Sequence, residues 1–197
     1  MSERSSGGRA PNPAPAGSRS TIKVWDLPLR LCHWLLAAAV LTAWFSANVY
    51  DSVHEIAGYA ALGLLAFRVV WGLAGPPHAR FRNLAYPPRA VLHHLLELAH
   101  GRSRRYLGHN PAGAAMTIAL LVLIAISTVS GWMQLTVQFF GVTWVEEMHS
   151  YSSNLILVLV VVHVLGVAMM CALHRENLVR AMFTGRKELR SEDPTVS

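Results

Sequence analysis

Apolar residues along this chain gather in four blocks, each long enough to cross a bilayer as a helix of about 20 residues rising about 1.5 Å per residue. The blocks run from Leu29 to Val49, His54 to Leu73, Ala112 to Leu135 and Trp144 to Leu173. None shows the period-two alternation of a membrane barrel strand. Backbone groups in lipid must find partners within their own segment, so the pattern predicts helices. The fourth block is continuous only from Leu155 onward, and Glu146-Glu147-Met148-His149 is expected to project into the interface. The first exceeds the roughly 7–15 residues of a signal-peptide core, and bulky Phe45 stands where cleavage needs a small residue, so it reads as a retained helix. The expected fold is all-α: an integral membrane four-helix bundle with short amphipathic surface helices.

The polar remainder divides the chain. Residues 1–21 form a Ser/Gly/Pro/Ala-rich tail with three arginines and little to bury, read as disordered. Residues 22–185 hold the bundle, and 186–197 are a polar tail. Asp26 is a candidate cap for the first helix, with Pro28 in its opening turn. The one sizeable loop runs from Ala74 to Pro111. Within it Pro87-Pro88-Arg89 precedes Leu92, Leu95, Leu96 and Ala99 at helical spacing, closed by Gly101. That spacing predicts a short helix that either lies on the membrane surface or covers the end of the bundle. A similar short helix is expected from Glu176 to Phe183. No internal repeat is visible.

Composition agrees with the pattern, since 53% of residues are hydrophobic and 14% charged, against about 25% charged in soluble domains. The net charge of +6 is unevenly placed. Of 17 basic residues, all but Arg68 precede the first helix, occupy the large loop or follow the fourth helix. The two opposite connections, around Asp51 and Phe140, carry no Lys or Arg. The positive-inside rule therefore puts both termini and the large loop of this multi-pass protein in the cytoplasm. Trp25, Trp71, Trp132 and Trp144 lie near expected helix ends, as interfacial belts do. Because the charge flanks membrane segments, nucleic-acid binding is a poor explanation for it. Cys32 and Cys171 form no C-x-x-C, and no C-x-x-C-H for covalent haem occurs. Both cysteines lie toward the cytoplasmic side, where a buried thiol is commonly small apolar filler.

The chemistry rests on histidine. Six of the ten, His78, His93, His94, His100, His109 and His174, fall in cytoplasmic loops and read as solvated or in headgroup contact. The other four, His33, His54, His149 and His163, lie in or at the ends of membrane helices, where an ionisable side chain is costly. His149 and His163 are about 21 Å apart along the axis and about 3.9 turns around it, so they project from nearly one face. His33 and His54 are about 30 Å apart if the chain between them is helical, so they cannot share a ligand. Depth permits one pairing: His33 with His163 on the inner side, and His54 with His149 on the outer. His163 lies farther from its inner helix end than His33 does. Two stacked sites of two neutral imidazoles suit haem b, whose iron takes one nitrogen on each side and keeps no open position.

Gly58 is one turn from His54 and Gly166 one turn from His163, while Gly63 and Gly131 open other faces. Such gaps suit a flat macrocycle, and close helix packing uses glycine equally. Arg68 follows His54 by 14 residues and so shares its face at the depth of the inner site. It is either a partner for haem propionates or a side chain snorkelling to headgroups near Trp71.

These residues resemble a known family. Val24-Trp25-Asp26, Arg30-Leu31-Cys32-His33-Trp34, His54-Glu55-Ile56-Ala57-Gly58, Arg68-Val69-Val70-Trp71, Gly108-His109-Asn110-Pro111-Ala112-Gly113, His149, His163 and His174-Arg175-Glu176-Asn177-Leu178 are similar, in order and spacing, to the prokaryotic cytochrome b561 family. That family includes the cytochrome b subunits of nickel-iron hydrogenases. The resemblance implies a four-helix membrane cytochrome with two haems b on His33, His54, His149 and His163. It also implies electron exchange between the quinone pool and another redox protein, a c-type cytochrome or an oxidoreductase subunit. Whether the chain counts as an enzyme, a quinol-linked oxidoreductase subunit, stays open. So does homodimerisation. An outer surface with Asp51, Glu146 and Glu147 would suit a basic carrier. The rivals are a transition-metal ion permease built on the same intramembrane histidines, since imidazole also suits Zn, Cu and Fe, and a redox-silent membrane anchor.

Overall fold

A computed structural model describes residues 21–100 and 110–188. The tail before Thr21, Gly101 with the loop arginines beyond it, His109 and the residues after Glu188 lie outside the described residues. The element order is β1 (Thr21–Lys23), α1 (Leu27–Ser46), α2 (Asp51–Ala74), two short 3-10 turns (Pro77–Ala79 and Phe81–Leu84), α3 (Pro88–Ala99), α4 (Pro111–Gln134), α5 (Thr143–His174), α6 (Leu178–Thr184) and β2 (Arg186–Glu188). The fold is an all-α helical bundle, and α1, α2, α4 and α5 are each long and apolar enough to cross a membrane.

Local chemistry sets the helix ends. Asp26 caps α1, its Oδ1 accepting from the Leu29 amide at 2.9 Å, with Pro28 in the first turn. Its Oδ2 accepts from the Trp71 indole at 3.0 Å, which ties the start of α1 to the last turn of α2. Asn110 caps α4 in the same way, ahead of Pro111, by accepting from the Gly113 amide. The fourth span agrees with the block that starts at Trp144: α5 is one unbroken helix of 32 residues whose first turns include Glu146 to His149. Its first turns are long enough to stand clear of lipid, so the two glutamates need no break in the helix to reach water.

α1 packs on α2 and α4 on α5, and the two hairpins meet along α2 and α4. The core lies at that junction, where Leu36, Ala61, Leu65, Ile124 and Ile156 are buried together. Among the described residues α1 and α5 do not pack closely, so a seam runs between α5 and the first hairpin. Most remaining apolar side chains on the spans face outward, as a lipid surround requires.

Two features near the termini were not expected. Thr21–Lys23, at the boundary of the first tail with the bundle, and Arg186–Glu188, at the start of the last tail, pair as an antiparallel ribbon. The Gly185 carbonyl accepts from the amides of Val24 and Trp25, and Trp34 stacks on Phe183 with ring centroids 4.5 Å apart. Gly185 holds φ at +76°, and a Cβ there would run into the Trp25 carbonyl, so the turn depends on glycine. α3 forms where helical spacing predicts it, with Leu92, Leu95 and Leu96 exposed and His94 buried. A helix with its leucines turned outward and a histidine turned inward has the geometry of an interfacial helix, and the reading of His94 as solvated is corrected.

Replacing Asp26 with alanine removes both a cap and the acceptor for Trp71. Asp26→Ala should cost about 1–3 kcal/mol of stability, cap and indole bond together, read as a lower midpoint of thermal unfolding in detergent.

Candidate functional site

The unbroken α5 carries His149 and His163 on one stripe that faces the seam. Across it the structure brings the His33 ring of α1 to 6.5 Å from His163, centroid to centroid, and the His54 ring of α2 to 5.9 Å from His149. The planes are tilted by 53° in the first pair and by 84° in the second. All four side chains are half-buried. His33 and His163 form a proximal pair, toward the end that holds both termini, and His54 and His149 a distal pair. The offset in depth between His33 and His163 is taken up by α5, whose length of about 48 Å well exceeds the hydrocarbon core.

The distal pair is braced by backbone. His54 Nδ1 lies 2.7 Å from the Ala43 carbonyl of α1, and His149 Nδ1 lies 2.8 Å from the Ser127 carbonyl of α4. A carbonyl only accepts, so in each ring Nδ1 carries the proton and Nε2 keeps a bare lone pair. This is the tautomer that a metal-ligating histidine adopts when a second group orients it. Each distal histidine is thus held by the neighbouring helix of its own hairpin.

Small residues let His149 sit where it does. A Cβ on Gly131 would come within 2.9 Å of His149 Cε1 and 3.1 Å of Nδ1. Ser130, fully buried, places its hydroxyl 3.5 Å from Nδ1. One turn away the Ser127 and Ser153 hydroxyls bond at 2.7 Å and fasten α4 to α5. The sequence reading missed these serines. Their spacing at 127 and 130, on the face that carries Gly131, was the available signal.

The proximal pair lacks such braces. His33 Nδ1 is buried with no hydrogen-bond partner, and its ring meets Trp34 edge-on at 5.1 Å. Arg68 is buried on α2, where its guanidinium donates to the Ala79 carbonyl at 3.3 Å and lies 4.7 Å above the Phe81 ring. It therefore holds the loop that follows α2. Cys32 donates to the Leu64 carbonyl, and Cys171 accepts from the Leu178 amide, so the two thiols serve separate local contacts. Near a histidine in sequence, a Cβ on Gly58 or Gly166 would meet nothing within 4 Å, and the same holds for Gly63. Outside the spans, burial pushes His94 below the ordinary imidazole range, with Glu97 opposing.

These residues fit a haem better than a bare ion. A metal between two imidazoles needs bonds of about 2 Å on each side and about 1 Å more to each ring centre, about 6 Å in all. Both pairs match that span. Among the described residues no three His, Cys, Asp or Glu side chains converge as an ion site. Two protein ligands per site suffice when a macrocycle supplies the other four. A depression of about 410 Å³ lined by Leu41, Thr42, Phe45, Ser46, Val49 and Tyr50 lies at the distal end of α1, apart from all four histidines.

A family model described as prokaryotic cytochrome b561 matches residues 24–185. The chain is similar to a probable Ni/Fe-hydrogenase B-type cytochrome subunit of Bradyrhizobium diazoefficiens, 22% identical over 89% of this chain and 89% of the relative. A protein of the same description from Rhodobacter capsulatus is also 22% identical, over 88% of this chain and 84% of its own. No solved structure matches significantly.

Gly131→Ala would push the His149 ring away from the backbone that braces it. Were the His54/His149 pair to hold a haem, the variant should purify with about one haem fewer per chain than the parent, counted by a pyridine haemochrome assay, because a displaced ligand would hold it poorly.

Proposed function

Because the chain belongs to the prokaryotic cytochrome b561 family, and is thereby a membrane b-type cytochrome of electron transfer, we propose that it holds two haems b and links the quinone pool to a separate redox protein. His33 and His163 would ligate the proximal haem, and His54 and His149 the distal one. The observation that carries the reading is the pair of imidazole couples, each about 6 Å across and separated by about 21 Å along α5. Haem b held there would supply one-electron redox chemistry.

The chain's own part is to hold and orient. The Ala43 and Ser127 carbonyls engage Nδ1 of the distal rings, which leaves Nε2 as the nitrogen available to a metal. Gly131 lets His149 approach α4, and Gly58 and Gly166 leave space near the ligands. The four spans keep both sites out of water. The bias of Lys and Arg toward the termini side supports a bacterial inner-membrane protein with both termini cytoplasmic and the distal pair toward the periplasm. The names of the relatives support a hydrogenase-type enzyme as redox partner. Asp51, Glu146 and Glu147, at the distal end, would form the acidic part of its docking face.

The ion-permease reading needs three or more donors converging along a path, and the described residues form no such group. Counting haem decides between them. The purified parent should show two haems per chain with reduced-minus-oxidised b-type bands, and His54→Leu and His33→Leu should each retain one. Bound zinc or copper in place of haem, or a parent with a single haem, would overturn the assignment.

A further inference from the structure

The two histidine pairs sit in different electrostatic surroundings. Both distal rings donate from Nδ1 to backbone carbonyls, at 2.7 and 2.8 Å. Such a bond makes imidazole a stronger donor and favours the more positive, oxidised metal. The distal end also carries Asp51, Glu55, Glu146 and Glu147, while its two connections hold no Lys or Arg. At the proximal end His33 Nδ1 has no acceptor.

A buried cation is added at that end. Arg68 follows His54 by the same 14 residues that separate His149 from His163, which sets its Cα level with the proximal pair. Cys32, the neighbour of His33, bonds the Leu64 carbonyl one turn before Arg68, which brings the two helices together at that level. Arg68 as a residue is 8% exposed, and its guanidinium lies over the Phe81 ring and pairs with no carboxylate among the described residues. Asp26, the acid that acts on it, is already committed to Leu29 and Trp71. A positive charge sealed from water is weakly screened and disfavours further positive charge nearby.

We propose that Arg68 is a tuning residue that raises the potential of the His33/His163 site above that of the His54/His149 site. This rests on the two-haem reading. The downhill direction inside the chain is then from the distal end to the proximal end. The exchange between the sites moves one electron and no atom, supplied by a reduced partner at one end and taken up by an oxidised quinone at the other.

Potentiometric titration of the detergent-purified holoprotein, followed at the b-type absorption band, tests it. The parent should titrate as two components. Arg68→Gln should shift the upper component down and leave the lower one in place, whereas Arg68→Lys, which keeps the charge, should hold the upper component near its parent value. Assignment comes from His54→Leu, which should retain the upper component, and His33→Leu, which should retain the lower. These two variants test the order even if Arg68→Gln does not accumulate. Survival of the lower component in His54→Leu, or an upper component unmoved in Arg68→Gln, would overturn the proposal while leaving two haems intact. A parent with one haem and one component would instead remove the reading beneath it.

Discussion

Fourteen residues separate His149 from His163, nearly a whole number of helical turns, and the bundle is arranged around the single polar stripe this creates on α5. A helix that carries two imidazoles into a bilayer must offer both of them partners, because an unsatisfied polar group in hydrocarbon is costly. The stripe therefore faces inward, and the partners have to stand at two depths. α1 and α2 meet that demand by running in opposite directions, so that His33 near the start of one and His54 near the start of the other fall at opposite ends. The short connection between them makes the arrangement compulsory. Helix packing gives way along this line: α1 packs on α2 and α4 on α5, while α1 and α5 stay apart.

α4 carries no histidine, yet it decides how the distal site is built. It presents Ser127, Ser130 and Gly131 to α5 on one face, so the His149 ring lies against its backbone and a main-chain carbonyl selects the tautomer. α1 does the same for His54 through Ala43. At the other end the bundle spends its polar contacts on closure. Arg68 holds the loop after α2, Asp26 joins α1 to α2, and the ribbon of Thr21–Lys23 with Arg186–Glu188 draws the two ends of the described chain together. The same four helices thus provide one tightly braced site and one site framed by a buried positive charge.

Much of this was legible in the sequence, for physical reasons that differ from element to element. The spans were readable to within about three residues because lipid imposes length and apolarity over a whole segment. The histidine pairs followed from helical rise and depth, which need no knowledge of side-chain packing. The start of α5 was readable too, since Glu146 and Glu147 in its first turns can reach the interface without ending the helix. The ribbon was hidden: three-residue strands pair because the helices bring the ends together, and no local propensity announces that. His94 was misread because spacing identifies an amphipathic helix without saying that its apolar face looks away from the protein. The partners of Arg68, Ala79 and Phe81, sit in a loop whose path the sequence does not specify.

The number of ligands per site carries more weight than their identity. Histidine alone is compatible with zinc, copper or iron, and intramembrane histidine alone is compatible with transport. An ion moving through a protein must be passed between sites that replace most of its hydration shell, which takes several side chains at each step. Here each site offers two imidazoles facing each other and, among the described residues, no third donor converges on them. Two imidazole rings about 6 Å apart would leave a bare ion seriously under-coordinated. They would suffice for a metal that already sits in a planar ring of four. A Cβ on Gly58 or Gly166 would meet nothing within 4 Å, which would leave room for such a ring, and the backbone bonds of His54 and His149 would leave Nε2 for the metal. A permease would need its donors spread along a path, whereas this chain concentrates them in pairs at two depths and braces the distal pair against movement.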